Sequence, residues 1–182
     1  MKIPISDISI VENVISPKPE GPWIAGGAVR LWSEGLSVED HDIDVWFSCK
    51  QQGKEVVKLL NKYRWDLTYK SNNALTFTKV SNGLNRKIQL IQKCFYDNVD
   101  QIINDFDLTC CQFAYDGSEL YTGKFSVQDV RDKYIRVNKW HDAIYSRVAK
   151  YIAYGYTPTQ DTINGIIDKD ILMTFEKYNE YD

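Results

Sequence analysis

The chain has 182 residues, a net charge of −3, and is 43% hydrophobic and 13% aromatic. That is long enough to bury one real core, and it excludes a disordered chain. A pI near 5.5 excludes a wholly basic nucleic-acid coat, though not a local basic cleft.

No signal-peptide pattern and no long apolar run occurs, so the expected setting is soluble and cytoplasmic, with no membrane partner. Residues 7–15 read as a short helix, closed by the extended "SPKPEGP", whose prolines cannot continue it. A strand is expected at Trp23–Ala25, then a helix from Ala28 to Glu34 that stops at Gly35. "HDIDVWFSC" is the next strand. Ser48 is the expected cap of a helix over 50–63, where Val56, Val57, Leu59, Leu60 and Tyr63 form an apolar stripe.

"RWDLTYKSNNALTFTKV" alternates about Asn72-Asn73 and predicts a hairpin. "RKIQLIQ" reads as another strand and "NVDQIINDF" as a short helix. "TCCQFAYDGSELYTG" predicts a second hairpin, turning at Asp116-Gly117, and "SVQDVRDK" a capped short helix. Helices over about 140–154 and 160–179 complete the chain. Mixed strands and hairpins followed by helices mean an α+β fold. The four cysteines, Cys49, Cys94, Cys110 and Cys111, lack metal-ligand spacing and read as buried reduced thiols. Cys110 and Cys111 are expected on one strand, facing opposite ways.

Two features carry chemistry. Residues i and i+2 of a strand face the same side, so Asp42 and Asp44 project together while Ile43 and Val45 enter the core. Two carboxylates that close repel by roughly a few kcal/mol when partly desolvated, so they share a proton or hold a cation. Oxygen-only ligands favour a hard divalent ion, Mg²⁺ or Mn²⁺. Just upstream, Gly26 and Gly27 let the backbone approach an anion at the start of a helix, and Arg30 can contact phosphate or buttress the aspartates. A phosphate cradle beside a metal dyad is what nucleotidyl transfer needs.

"GGAVRLW…DHDIDVWF" resembles the head-domain signature of the polymerase β nucleotidyltransferase superfamily, nearest the CCA-adding enzymes and bacterial poly(A) polymerases. "DLTCCQFAYDGSELYTGKFSVQDVRDKYIRV", Asp107–Val137, is similar to the family stretch that opens Arg-Arg-Asp-Phe-Thr. "KYIAYG", Lys150–Gly155, resembles a motif of small stand-alone members from phages and large viruses.

The resemblance implies a short mixed sheet with helices packed on it. It implies a nucleotidyltransferase-like core at 1–137 and a C-terminal helical portion, 138–182, packed on the core. It makes Asp42 and Asp44 metal ligands, and Asp42, Asp44 and Asp107 catalytic. It makes Gly26, Gly27 and Arg30 nucleotide-binding, and the basic stretch ending at 150 adds Arg147 and Lys150 as nucleotide-binding candidates. The chain departs from the pattern in two places: Asp105 and Phe106 stand where the arginine pair belongs, and "RKIQLIQ" offers Gln89 and Gln92 where a third carboxylate is expected.

Basic stretches at 79–93 and 124–150 are candidate tracks for NTP, RNA or DNA, with Trp140, Tyr145 and Tyr151 available for stacking. The expected activity is metal-dependent transfer of a nucleoside monophosphate from NTP to a hydroxyl, with tRNA-like RNA as acceptor, in the host cytoplasm if the protein is viral. The alternatives are a catalytically weak or inactive module of the same fold that binds nucleic acid, for example in phage or mobile-element replication, and a toxin-like transferase acting on tRNA or protein.

Overall fold

The computed structural model describes residues 14–38, 41–81 and 83–179, with side chains through 169 except Ser81. The strands are β1 (Trp23–Ala25), β2 (Asp42–Trp46), β3 (Asp66–Lys70), β4 (Ala74–Ser81), β5 (Leu84–Ile91), β6 (Phe113–Tyr115) and β7 (Leu120–Thr122). They form one sheet in the order β3-β4-β5-β2-β1-β6-β7. Only the central β2–β5 pair is parallel; its other neighbours run antiparallel, so the sheet is mixed as expected. Helices α1 (Gly27–Ser33), α2 (Lys50–Lys62) and α3 (Val99–Asp105) lie between the strands in sequence. Helices α4 (Ser126–Arg131), α5 (Ile144–Ala153) and α6 (Gln160–Asn179) follow them, with a small parallel pair, β8 (Tyr134–Ile135) and β9 (Thr157–Pro158).

The residues divide into two compact units. The first runs through Phe106 and resumes at Cys111–Gly123; the second holds Asp107–Cys110 and the chain from Lys124 onward. In the first unit the period of two sorts the sheet into two faces. Ile43, Val45, Phe47, Phe77, Ile88 and Leu90 are buried on one face, where the Phe47 ring lies 3.7 Å from the position a Gly53 Cβ would take on α2. Across β1 and β6 a second cluster joins Trp23, Ala25 and Ala114 to Val99, Ile102 and Ile103 of α3, with Trp46 and Phe106 packed against it. α3 therefore covers the β1–β6 part of the face that carries Asp42, Asp44 and Trp46.

In the second unit a fully buried Asp129 accepts a hydrogen bond from Thr109 and pairs with Arg136, whose guanidinium lies 4.5 Å from the Phe125 ring centroid. β8 and β9 close the same unit, and Thr162 on α6 donates to the Ile135 carbonyl at 3.0 Å.

Several local expectations are corrected. Cys49, not Ser48, precedes α2, and Gln52 in its first turn reaches back to accept from the Ser48 amide at 2.9 Å. Thr109–Cys111 is a 3₁₀ turn rather than a strand, because the Thr109 amide is bonded to the Arg136 carbonyl, far away in sequence. Cys110 and Cys111 are both buried there, whereas Cys49 is exposed and Cys94 half-buried; all four are thiols rather than disulfides. α4 has no side-chain cap, since Ser126 sits inside its first turn and is fully buried. α5 starts at Ile144 rather than near 140, because the preceding His141 is tied to Asp107. The helix expected at 7–15 falls almost wholly outside the described residues.

Candidate nucleotide and metal site

β2 alternates in exposure as its sequence requires: Ile43 and Val45 are buried, Asp42 is exposed and Asp44 half-buried. Both carboxylates leave the same face of the sheet. One oxygen of Asp44, Oδ1, is shut off from solvent. Antiparallel β1 ends beside them, so the chain enters Gly26 next to the dyad.

Gly26 has φ 95° and ψ −145°, a backbone state that side chains rarely adopt. A Cβ there would meet the Phe106 ring at 3.4 Å and Asp44 Oδ2 at 3.6 Å. The Gly26 amide donates to the Phe113 carbonyl at 2.8 Å, pinning the turn to β6. Gly27 is different: nothing lies within 4 Å of its Cβ position, so the start of α1 opens onto free space. Phe106 packs edge-to-face on Trp46, with centroids 5.8 Å apart, and Tyr96 does the same at 5.7 Å. The Tyr96 hydroxyl donates to Asp105 at 2.5 Å. Asp105 and Phe106, which stand where the resemblance expects arginines, thus build an aromatic wall beside the dyad instead of a cationic one.

The neighbouring strands complete the surface. Parallel pairing sets Lys87 beside Asp42 and Gln89 beside Asp44, and β4 adds Thr78 beside Lys87 and Thr76 beside Gln89. The result is two polar rows, Asp42-Lys87-Thr78 and Asp44-Gln89-Thr76, on one face. Lys87 Nζ lies 3.9 Å from Asp42 Oδ1. Gln89 Nε2 donates to Thr76 Oγ1 at 3.5 Å. Gln89 stands where an acid is expected, and Lys87 and both threonines share the dyad's face, which the sequence alone does not show. The signal was present in the alternation of β4 and β5, but it could not be used without the parallel β2–β5 register.

Arg30 is buried, with its side chain 9% exposed and Nη1 3.5 Å from Glu34. That placement suits a buttress inside α1 better than a mobile phosphate contact. The donors of the dyad are hard carboxylate oxygens, which fit Mg²⁺ or Mn²⁺. Two acids are what the face offers: among the described residues no group of three His, Cys, Asp or Glu side chains comes together to hold a metal.

The remaining expected residues lie in the second unit, each with a local partner. Asp107 receives Arg147 through two contacts, Nε–Oδ2 at 2.7 Å and Nη2–Oδ1 at 2.9 Å, and His141 Nε2 lies 3.1 Å from Oδ2. Its carbonyl accepts from the amides of Asn138 and Lys139. The Lys150 ammonium lies 5.8 Å from the Tyr154 ring centroid.

The basic stretches are divided by the same local geometry. In 79–93, Lys79 and Arg86 pair across β4 and β5, while Lys87 faces the other way. In 124–150, Arg131, Arg136 and Arg147 are paired with carboxylates, and Lys124, Lys133 and Lys150 lie over aromatic rings. Tyr151 is core, edge-on to Tyr154 and Tyr156. Trp140 is half-buried beside Gly165, and Tyr145 is half-buried as well.

Solved structures share this fold at low identity. The Thermotoga maritima CCA-adding enzyme complexed with tRNA is 17% identical, with a TM-score of 0.56 over 78% of this chain and 36% of its own. A tRNA-processing enzyme in an apo form is 18% identical, with a TM-score of 0.63 over 90% of this chain and 46% of its own. A tRNA nucleotidyltransferase complexed with a primer tRNA and an incoming ATP analogue is 18% identical, with a TM-score of 0.55, covering 78% and 44%. These likenesses show the nucleotidyltransferase fold. The chain spans less than half the length of each. No curated protein sequence matches it. The sequence model of the Gabija anti-defense 2 family protein (Gad2) matches residues 6–133.

Proposed function

The chain belongs to the Gabija anti-defense 2 family, and from that premise we propose that it is a metal-dependent nucleotidyltransferase. It transfers a nucleoside monophosphate from an NTP to a hydroxyl, and RNA of tRNA-like form is the acceptor class. One observation carries this reading: Asp42 and Asp44 stand side by side on an open polar face of a nucleotidyltransferase-fold sheet, against the Gly26 turn. Two of the similar structures were solved with tRNA, which supports the choice of acceptor. We take the reaction to be directed against Gabija defence, the target in the family's name, by a phage or mobile element in the host cytoplasm.

Asp42 and Asp44 would hold the Mg²⁺ or Mn²⁺ ion. When bound, such an ion neutralises triphosphate charge and polarises the reacting phosphoryl group. The chain's own residues orient the substrate. Gly26 brings the backbone close to Asp44 without a side chain in the way, and the open space at Gly27 leaves room for phosphate. Arg30 steadies α1 from within. Phe106 and Trp46 wall one side of the face. A catalytic role for Asp107, or nucleotide contacts from Arg147 and Lys150, would require those side chains to leave their present partners. The proposal therefore rests on Asp42 and Asp44.

A second reading is favoured by Gln89, which stands beside the dyad where a third carboxylate is expected, with Lys87 on the same face. It is a module of the same fold that binds nucleotide or nucleic acid without transfer. Titration calorimetry with a non-hydrolysable NTP analogue tests the shared premise. Mn²⁺ should tighten binding in the wild type, and Asp44→Asn should lose that gain. Equal affinity with and without metal contradicts the dyad's role.

A further inference from the structure

We infer that Lys87 is the resident counter-ion of the Asp42–Asp44 pair, and that it makes loading of the metal depend on the arrival of a triphosphate. The inference rests on the reading of the dyad as a metal site and adds a device to it. Three observations lead there.

First, parallel pairing of β2 and β5 fixes Lys87 in register with Asp42, so strand geometry holds its stem on the dyad's face. Second, its ammonium reaches Asp42 Oδ1 at 3.9 Å, with both side chains a little under half exposed, so the contact is made and easily broken. Third, the same row continues into Thr78 and the next holds Gln89 and Thr76, so these neighbouring strand positions supply no further acid to offset the lysine.

Two carboxylates and one ammonium leave a net charge of about −1 where a divalent ion needs two acids. A lone Mg²⁺ or Mn²⁺ ion must then displace or tolerate the lysine, and it binds weakly. A metal–triphosphate complex meets no such penalty. Its phosphates offer the ammonium a better partner than Asp42, and a lysine serves phosphate well as a mobile point charge. Lys87 would therefore pass from Asp42 to the triphosphate as the metal takes its place. Free metal is rejected, nucleotide-borne metal is accepted, and an idle site carries no ion to hydrolyse nucleotides wastefully.

The two halves of the inference predict opposite effects of one substitution, which a merely structural role for Lys87 would not do. Lys87→Met removes the charge and keeps the stem. Mn²⁺ binding without nucleotide, followed by the loss of the free-ion paramagnetic resonance signal, should tighten on the order of tenfold, as expected for removing a unit charge next to a divalent site. Binding of a non-hydrolysable ATP analogue with saturating Mn²⁺ should weaken by a similar factor. Lys87→Arg should stay near wild type in both. The side chain is 43% exposed, so thermal melts of the variants should match the wild type.

Unchanged or weaker Mn²⁺ binding in Lys87→Met overturns the inference, as does unchanged affinity for the nucleotide. Adding Asp44→Asn to Lys87→Met separates this failure from that of the dyad. If Asp44→Asn abolishes Mn²⁺ binding while Lys87→Met alone changes nothing, the dyad stands and the lysine's role falls. If Mn²⁺ binds no variant at all, both fall.

Discussion

Adjacent glycines with different surroundings separate folding from ligand binding. Gly26 has φ 95°, and an added Cβ would press on the Phe106 ring at 3.4 Å and lie 3.6 Å from Asp44 Oδ2. A non-glycine residue in that backbone region costs about 1–3 kcal/mol. For a chain of this size each kcal/mol moves the melting temperature by roughly 2–4 °C, so Gly26→Ala should lower it by roughly 2–12 °C. Gly27 opens α1 and has nothing within 4 Å of its Cβ position. Gly27→Ala should leave the fold as stable as before, or stabilise it by up to about 1 kcal/mol through helix propensity. If phosphate occupies that open space, however, the added methyl takes room the ligand needs, and nucleotide affinity should drop by on the order of tenfold, about 1.4 kcal/mol. Differential scanning fluorimetry and titration with a non-hydrolysable NTP analogue in Mn²⁺ measure the two effects. A Gly27→Ala protein that binds nucleotide like the wild type would refute the placement of phosphate at α1. A Gly26→Ala protein of unchanged stability would refute the strain argument.

In the second unit, Arg147→Ala breaks the twofold contact with Asp107, whose side chain is 14% exposed. It should cost about 1–3 kcal/mol in urea melts; an unchanged melt accompanied by lost nucleotide binding would instead make Arg147 a ligand contact. Asp116, at the β6–β7 turn, would be raised by its burial, but bonds from the Glu119 and Ser118 amides, the Ser118 hydroxyl and Tyr121 hold it below the ordinary 3.8. A depressed carboxylate stabilises the fold above its unfolded pKa and loses that contribution as pH falls through the folded value. The stability gap between wild type and Asp116→Asn should therefore be full at pH 6 and shrink below about pH 4; a gap that does not change with pH would refute it.

What the sequence reveals here is what its local periods encode. Trp23–Ala25, the shared face of Asp42 and Asp44, the hairpin about Asn72-Asn73 and the helix over 160–179 follow from alternation, turn residues and the boundary after Pro158. Features set by distant partners were not legible. Cys110 and Cys111 look like strand residues until the Thr109 amide is bonded to the Arg136 carbonyl. His141 looks helical until it meets Asp107. The most consequential omission lies at the site. Lys87 belongs to a basic run in sequence, but parallel pairing with β2 turns it alone of that run's β5 residues toward Asp42 and sends Arg86 to the opposite face. The substitution of Asp105 and Phe106 for the expected arginines was visible, but their use as an aromatic wall with Tyr96 and Trp46 required the packing of α3.

Transfer itself is the most direct test. The wild-type chain, α-³²P-labelled NTPs and total RNA from a host cell should yield labelled RNA in the presence of Mg²⁺ or Mn²⁺, and chelation should stop it. Asp42→Ala and Asp44→Ala, chosen because their side chains are exposed or half-exposed, should melt like the wild type and transfer no label. Label that persists in either variant, or a wild type that labels neither RNA, DNA, protein nor itself with any of the four NTPs, would contradict the proposed nucleotidyl transfer.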